Sequence, residues 1–195
     1  LEVAVVQPSI REMDPQTSGF SEDEEELAIL LDDLDEAIPN QALEGNDLVV
    51  MAESELPIFL NRSDMAKQWI AKRTRGGGYC LLVGSGYRDD TGVMYNSAYL
   101  FSSTGEELGR YDKVHLVPFG EFVPGRKWLP GLRFYPIRER DVTHGSELRL
   151  LECDEAELGV VICFESIFPR MARSLCRDGA NLLLVITNNL SLIHI

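Results

Sequence analysis

Four side chains next to apolar runs have types suited to nucleophilic catalysis. Cys163 ends the run GVVIC, Glu165 lies two residues further on, Glu53 follows the run DLVVMA, and Lys113 lies in RYDKVHLVPFGE. A free thiol has a pKa of about 8.5 and needs a base or a nearby cation to attack at neutral pH. On position alone, however, an unpaired cysteine is more often buried and inert, a lysine is more often exposed, and a carboxylate is as often structural. Taken one by one, these residues leave catalysis open.

The other candidate chemistries find less support. None of the three histidines lies in a Cys–His signature that would identify a base for the thiol. Cys80, Cys153 and Cys176 show neither CxxC pairing nor zinc-ligand spacing with histidine. We therefore expect no metal and no cofactor, and we interpret these three cysteines as inert. Their disulfide status and the redox compartment stay open.

The elements that must position these residues are predicted from the hydrophobic pattern. Short apolar runs alternate with helical patterns, which is typical of a layered α/β fold. Helices are predicted from the capping-box pair Ser21 and Glu24 to Ile38, from Ser63 to about Arg75, and from Pro169 to just before Gly179. Several strands are apolar nearly throughout, as expected for strands that are covered on both faces. The predicted strands are residues 3–6, 48–51, 81–84, 96–101, 148–151, 159–163 and 182–186.

Composition limits the class of protein. The chain has 195 residues, of which 45% are hydrophobic, and this suits one globular domain. A formal net charge of −14 would repel phosphate backbones, so nucleic acid is not an expected partner. No stretch approaches the roughly 18 consecutive apolar residues of a membrane span, and the first residues do not have the pattern of a signal peptide. Because Leu1 lies at the start of a predicted strand, we interpret the chain as a fragment of a longer protein.

The segment 118–140 differs from the acidic remainder. It carries five basic and two acidic side chains, five aromatic residues and four prolines. Such a composition favours an interfacial or substrate-contacting surface. A proline-stiffened loop that folds onto its own domain is an equally good interpretation.

Several motifs, taken together, resemble one enzyme family. Glu53 in ESELP, Lys113 in YDKVHLVPFGEFVP and Cys163 in GVVICFES resemble the Glu-Lys-Cys triad of the nitrilase superfamily in order and interval. Glu53 rather than Glu55 fits the first motif, because it precedes a serine and has a proline four residues on. The motifs HLVPFGEFVP, KWLPGL, YNSAYLF and CFESIFP are similar to the nitrilase-like domain of bacterial apolipoprotein N-acyltransferases. Soluble amidases of the superfamily share the triad but not VPFGE.

This resemblance implies a fold and a set of roles. The implied fold is an α/β nitrilase-like α-β-β-α sandwich, incomplete at its C-terminus, with residues 1–189 as a partial catalytic domain. We interpret residues 190–195 as a translated sequencing adapter. The implied nucleophile is Cys163 and the implied base is Glu53, while Lys113 and the backbone N–H of Phe164 would stabilise an oxyanion. Two supporting positions also match the family by motif: Glu121 in VPFGE and Glu165 in CFE. The resemblance further makes Trp128, Leu132 and Phe134 candidate lipid contacts.

The resemblance also implies a reaction. The family moves a fatty acyl group from a phospholipid, through a cysteine thioester, to the N-terminal amine of a diacylglyceryl-modified apolipoprotein. It works at the periplasmic face of the bacterial inner membrane, and membrane association would come from transmembrane helices outside this chain. Two alternatives stay open: a soluble amidase that hydrolyses C–N bonds, and an inactive truncated product.

Overall fold

Two β-sheets packed face to face form the centre of the protein, and helices cover their outer faces. The computed structural model describes residues 1–8, 20, 22–125 and 141–188. The helices are α1 (Glu24–Ala37), α2 (Asp64–Gly77) and α3 (Pro169–Arg177). The strands are β1 (Val3–Val6), β2 (Leu48–Met51), β3 (Leu56–Phe59), β4 (Cys80–Arg88), β5 (Met94–Phe101), β6 (Glu107–Asp112), β7 (Leu150–Cys153), β8 (Ala156–Ile162) and β9 (Leu182–Ile186).

The first sheet has the order β1-β2-β4-β5-β6, and β3 pairs with the C-terminal half of β4. Strands β1, β2, β3 and β4 are parallel, whereas β5 runs antiparallel to both of its neighbours. The second sheet has the order β7-β8-β9, with β7 antiparallel and β9 parallel to β8. The parallel strands β2, β8 and β9 each end in a segment that carries a candidate site residue, as described below.

Alternating side chains assign each strand face to a different apolar layer. In β2, Leu48 and Val50 face the second sheet, whereas Val49 and Met51 face the layer formed by α1 and α2. Helix α3 packs through Met171 and Leu175 on the outer face of the second sheet. The layers therefore run helix, sheet, sheet, helix, and the predicted α-β-β-α sandwich is confirmed.

The positions of most predicted elements are confirmed, with shifts at their ends. The predicted strand 148–151 begins two residues before the observed strand β7. The predicted strand 159–163 is wrong at its end, because β8 stops at Ile162. Two strands were missed. Strand β3 contains Pro57 and is only four residues long, and β6 has mostly polar or charged residues in an edge position, so neither shows a strong apolar pattern.

The first helix begins later than the capping box predicts. Asp23 is the N-cap, and its carboxylate accepts hydrogen bonds from the backbone N–H groups of Glu25 and Glu26. The apolar face of this helix is buried and consists of Leu27, Leu30, Leu31, Leu34 and Ile38. A run of three glycines ends the second helix, with Gly78 in the left-handed conformation at a φ of 73°.

A disulfide joins the two sheets, so the disulfide status that the sequence left open is decided for Cys80 and Cys153, and the interpretation of these two residues as inert thiols is wrong. Cys80 at the start of β4 is bonded to Cys153 at the end of β7, and Cys176 is exposed. Both bonded residues lie in the apolar layer between the sheets. The spacing along the chain gave no sign of this bond, because 73 residues separate the two positions.

Several predictions concern residues outside the described part of the chain. The candidate lipid contacts Trp128, Leu132 and Phe134 lie there, as do Ser21 and residues 190–195. Among the helices of residues 1–8, 20, 22–125 and 141–188, none combines the length and apolar character needed to cross a membrane.

We expect the disulfide to contribute measurably to stability. Replacing Cys80 and Cys153 together with alanine removes a cross-link that closes a long loop, for which chain entropy gives about 4 kcal/mol. The double variant should therefore unfold at a clearly lower temperature, as measured by circular dichroism. Cys176→Ala is the control and should leave the transition unchanged. Equal transition temperatures with and without the bond would contradict this stabilising role.

Candidate active site

The candidate residues lie where strands of both sheets end. Glu53 comes two residues after β2, Lys113 directly follows β6, and Cys163 directly follows β8. Thr187 and Asn188 follow β9, the parallel neighbour of β8. The sandwich therefore brings together residues that are up to 135 positions apart in sequence, as in the contact between Glu53 and Asn188.

A buried lysine shared by two carboxylates forms the centre of the cluster. The Nζ atom of Lys113 lies 3.1 Å from Oε1 of Glu53 and 3.1 Å from Oε1 of Glu121. Lys113 is 1% exposed, so the expectation from position alone that this lysine lies at the surface is wrong. Burial by itself lowers the pKa of Lys113, but the two carboxylates outweigh it, and the net direction is upward. The side chain is therefore an ammonium at neutral pH.

Asn96 of β5 joins the same two carboxylates. Its Nδ2 atom donates to Oε1 of Glu53 at 2.9 Å and to Oε1 of Glu121 at 2.8 Å. Sequence reasoning did not select this residue, although the motif YNSAYLF contains it. The backbone N–H of Val117 and that of Asn188 bind the outer oxygens, Oε2 of Glu121 at 2.8 Å and Oε2 of Glu53 at 3.2 Å.

Cys163 has an unusual backbone conformation for a side chain of its type. It is half-buried at the start of a short 3₁₀ helix, Cys163–Ile167, and its φ is 51°. Non-glycine residues at positive φ store strain that is often found at functional sites, and nucleophiles on tight strand-to-helix turns are one example. Ser54, next to Glu53, and Phe119, two residues before Glu121, also have positive φ values of 52° and 62°. Strained backbone therefore accompanies three of the clustered side chains.

The surroundings of Cys163 favour the neutral thiol. Burial and the negative charge of Glu53 raise its pKa, while the hydrogen bond with Thr187 and the charge of Lys113 act in the opposite direction without reversing the shift. A thiol with a raised pKa is a poor nucleophile at neutral pH unless a base removes its proton during attack. The carboxylate of Glu53 is next to it and suits that task.

Glu165 has a different position from the other carboxylates. It is completely buried and accepts four hydrogen bonds: from the hydroxyl of Tyr111 (2.8 Å) and from the backbone N–H groups of Val114 (2.8 Å), His115 (3.0 Å) and Ile162 (2.8 Å). These bonds tie the residue before Cys163 to the segment that follows Lys113. Glu165 therefore holds the end of β8 and the segment after Lys113 in a fixed relation.

Gly84 of β4 permits the close approach of the Glu53 turn. A Cβ atom at this position would lie 2.5 Å from the carbonyl oxygen of Ala52 and 2.7 Å from Cα of Glu53. Any side chain at position 84 would push the Glu53 backbone away from β4.

Phe164, whose N–H the resemblance assigns to an oxyanion, directly follows Cys163, and its ring contacts Phe168.

The described residues offer little for a metal. Within the part of the chain that the structure covers, one compact group of ligand types occurs, formed by Cys80, Cys153 and Asp154. The two sulfur atoms are bonded to each other, so they are not available as thiolate ligands.

Glu55 gives the stability of the chain a pH dependence of its own. Burial raises the pKa of its carboxyl from 4.5 to about 7. Between these values an unfolded chain loses the proton and the folded chain keeps it, so stability falls as pH rises from about 4.5 to about 7. Glu55→Gln removes this loss. The free energy of unfolding of the variant, relative to that of the wild type, should therefore be higher at pH 8 than at pH 4, by no more than about 3 kcal/mol. Denaturant unfolding at both pH values measures the difference.

The matched control for this measurement is Glu44→Gln, since Glu44 is an exposed glutamate in a loop. A difference between pH 4 and pH 8 that is the same for Glu55→Gln and Glu44→Gln would contradict the assignment to Glu55.

Three curated proteins with similar sequences are named apolipoprotein N-acyltransferase. The chain is 37% identical to the apolipoprotein N-acyltransferase of Geobacter metallireducens over 74% of its own length and 28% of that protein. It is 33% identical to that of a Nostoc species over 75% of the chain and 29% of the relative. It is 30% identical to that of Brucella suis over 87% of the chain and 32% of the relative. The chain thus spans less than a third of the length of these relatives.

Solved structures show the same fold at lower identity. An amidase from Nesterenkonia has a TM-score of 0.63 at 22% identity, covering 95% of this chain and 66% of the other. Yeast Nit3, a nitrilase-superfamily member, has a TM-score of 0.61 at 20% identity, covering 88% of this chain and 62% of Nit3. At these identities the likeness establishes a shared nitrilase-superfamily fold.

The sequence pattern of the family described as carbon-nitrogen hydrolase matches residues 2–193, almost the whole chain. The curated relatives and the fold neighbours agree with that match, and together they support an enzyme. The chain therefore belongs to the carbon-nitrogen hydrolase family, as a homologue of the apolipoprotein N-acyltransferases.

Proposed function

We propose that residues 1–189 form the catalytic domain of an apolipoprotein N-acyltransferase that uses Glu53, Lys113 and Cys163 as its catalytic triad. The observation that carries this proposal is the buried cluster in which one ammonium contacts two carboxylates beside a half-buried thiol. The similarity to proteins named apolipoprotein N-acyltransferase indicates the direction of the chemistry. The substrates would be a phospholipid and a diacylglyceryl-modified lipoprotein.

In the first half-reaction, Cys163 attacks the ester carbonyl of the phospholipid. The thiol proton moves to Glu53 as the S–C bond forms, because the raised pKa of the thiol disfavours a free thiolate. The tetrahedral intermediate then loses the glycerol oxygen, which takes the proton back from Glu53. The products are an acyl thioester on Cys163 and a lysophospholipid.

Lys113 suits the role of oxyanion donor. Among the described residues, two of its three N–H donors go to Glu53 and Glu121, which leaves one for the carbonyl oxygen that becomes negative. The N–H of Phe164, next to the nucleophile in sequence, would be the second donor. Because Glu121 also contacts Lys113, it would hold the ammonium in place during both half-reactions.

In the second half-reaction, the α-amine of the lipoprotein attacks the thioester. The C–N bond forms, the C–S bond breaks, and a proton from the amine returns to the Cys163 sulfur through Glu53. Transfer to an amine rather than to water requires that the thioester be kept dry. An acyl chain that stays in lipid would do so, and Trp128, Leu132 and Phe134 are the proposed membrane contacts.

The disulfide supports a location outside the cytoplasm. Structural disulfides persist in oxidising compartments such as the periplasm and are rare in the cytosol. Since Cys80 and Cys153 are bonded between the two sheets, the domain is suited to the periplasmic face of the inner membrane. Membrane attachment would come from helices outside this chain.

We predict a covalent acyl adduct on Cys163. The full-length protein mixed with phospholipid in the absence of an amine acceptor should gain the mass of one fatty acyl group, and peptide mass spectrometry should locate it on Cys163. Cys163→Ala should carry none, and adding a lipoprotein acceptor should discharge the adduct. A folded protein that stays unmodified, but hydrolyses small amides, would instead support the soluble amidase.

We predict that Glu53→Gln slows thioester formation by about 10²- to 10⁴-fold, because the amide cannot accept the thiol proton. The measurement is the initial rate of acylation of Cys163 at pH 7, with thermal unfolding to verify the fold. Glu55→Gln makes the same chemical change two residues away and should acylate at close to the wild-type rate. Normal acylation by Glu53→Gln would remove Glu53 from the role of base.

A further inference from the structure

Two acceptor oxygens and two nitrogen donors alternate around the centre of the site. Oε1 of Glu53 and Oε1 of Glu121 each accept from Nζ of Lys113, at 3.1 Å, and from Nδ2 of Asn96, at 2.8–2.9 Å. The four residues are at most 8% exposed. Each carboxylate therefore depends on the same two donors, of which one is charged and one is neutral.

The charges of this group do not balance. Two carboxylates and one ammonium leave a formal excess of one negative charge in a buried place, where like charges repel strongly. Hydrogen-bond donors to the two carboxylates are needed to offset this repulsion. Asn96 is the side chain that gives an N–H to both carboxylates at once without adding charge.

The carboxylates also determine which way the Asn96 amide points. Turning the amide around would place its oxygen against two carboxylate oxygens, acceptor against acceptor. In the observed orientation Oδ1 is buried and has no hydrogen-bond partner among the described residues. An unsatisfied buried carbonyl costs free energy, so the orientation is maintained by the bonds to Glu53 and Glu121.

The backbone places Asn96 directly beside the lysine. Asn96 lies near the start of β5, opposite Gly86 of β4, and its carbonyl oxygen accepts the backbone N–H of Lys113 at 2.9 Å. The residue therefore contacts Lys113 through its main chain and the partners of Lys113 through its side chain. No other element of the described chain makes both kinds of contact with this group.

We propose that Asn96 is a positioning residue that keeps Glu53 and Glu121 charged together around Lys113, and so keeps Glu53 able to accept the proton of Cys163. This inference deepens the proposed function and rests on its assignment of Glu53 as base. The amide of Asn96 binds Oε1 of Glu53. The second oxygen of this carboxylate, Oε2, accepts the backbone N–H of Asn188 instead. The amide acts through Glu53 and does not touch the substrate.

The test follows the reaction of Cys163 with acrylamide as a function of pH. Acrylamide is uncharged, so changes of charge in the site do not alter its approach. The sulfur bonds to the terminal carbon, the double bond opens, and the thiol proton ends on the other carbon by way of Glu53. The rate falls at low pH when the base is protonated, and the midpoint of that fall is the measured quantity.

Two other groups need to be removed from the assay. Cys176 is exposed and would react with acrylamide, and Glu55 titrates near pH 7 in the neighbouring turn. All measurements therefore use Cys176→Ser with Glu55→Gln as the background. Within residues 1–8, 20, 22–125 and 141–188, the charged or titratable groups that then face the carboxylates are Lys113, from the end of β6, and Cys163, from the end of β8.

In Asn96→Ala the midpoint should move to higher pH by about one unit, because the charged carboxylates lose a donor and take up a proton more readily. Asn96→Asp keeps the size of the side chain but adds a third acceptor, and its midpoint should move further. Asn61→Ala is the matched control. It also removes an asparagine with two hydrogen bonds, both to the backbone of Arg88, and should keep the background midpoint.

An unchanged midpoint in folded Asn96→Ala and Asn96→Asp would overturn the proposal. Should neither variant fold, the unmodified chain gives the answer by nuclear magnetic resonance. There the side-chain amide protons of Asn96 should shift with the same midpoint as the acrylamide reaction, and a constant shift would overturn the assignment. A moved midpoint without any acyl adduct from phospholipid would reject the proposed substrates and retain the role of Asn96.

Discussion

The ion pairing of one buried ammonium with two carboxylates is the constraint on which the rest of the site depends. Removing a lysine from water is unfavourable unless opposite charges and hydrogen bonds compensate for the lost hydration. Glu53 and Glu121 provide this compensation for Lys113, and Asn96 donates a further hydrogen bond to each carboxylate. The geometry of the site is therefore coupled to its charge, because each carboxylate depends on the same two donors.

The sandwich makes this cluster possible by bringing strand ends from both sheets to one place. Asn96 lies in the first sheet and Glu53 and Lys113 follow strands of it, whereas Cys163 and Asn188 follow strands of the second sheet. Two features hold the sheets in register: the Cys80–Cys153 bond within the apolar layer, and the four hydrogen bonds of Glu165 between the end of β8 and the segment after Lys113. Glu165 is thus a part of the scaffold, although its place two residues after the thiol also suggested chemistry.

Backbone strain accompanies the clustered side chains. Of the four described non-glycine residues with positive φ, Asp154 lies in the turn between β7 and β8, whereas Ser54, Phe119 and Cys163 each lie within two residues of a clustered group or belong to it. Such conformations persist when the surrounding structure fixes them, and they direct a side chain that regular secondary structure would turn elsewhere. In the same region Gly84 supplies the space in which the Glu53 turn lies against β4.

The sequence by itself determined the layered α/β architecture, most strands and helices, and the residue types at strand ends. It did so because burial imposes periods of 2 and 3.6 residues that are visible locally, as in β2 and α1. It missed β3 and β6, whose patterns are interrupted by proline or are polar, and it began α1 at the wrong cap. Its motifs also selected Glu53, Glu121, Lys113 and Cys163, which the structure brings together, while their catalytic roles stay predictions.

Only the tertiary structure decided which of these side chains contact each other and in what state. The pairing of Cys80 with Cys153, the burial of Lys113, the part played by Asn96 and the separate place of Glu165 all involve residues far apart in the chain. Such contacts depend on how two sheets pack and on the desolvation that follows. Neither quantity has a local signature, because the free energy of a buried charge is set by its partners in space rather than by its neighbours in sequence.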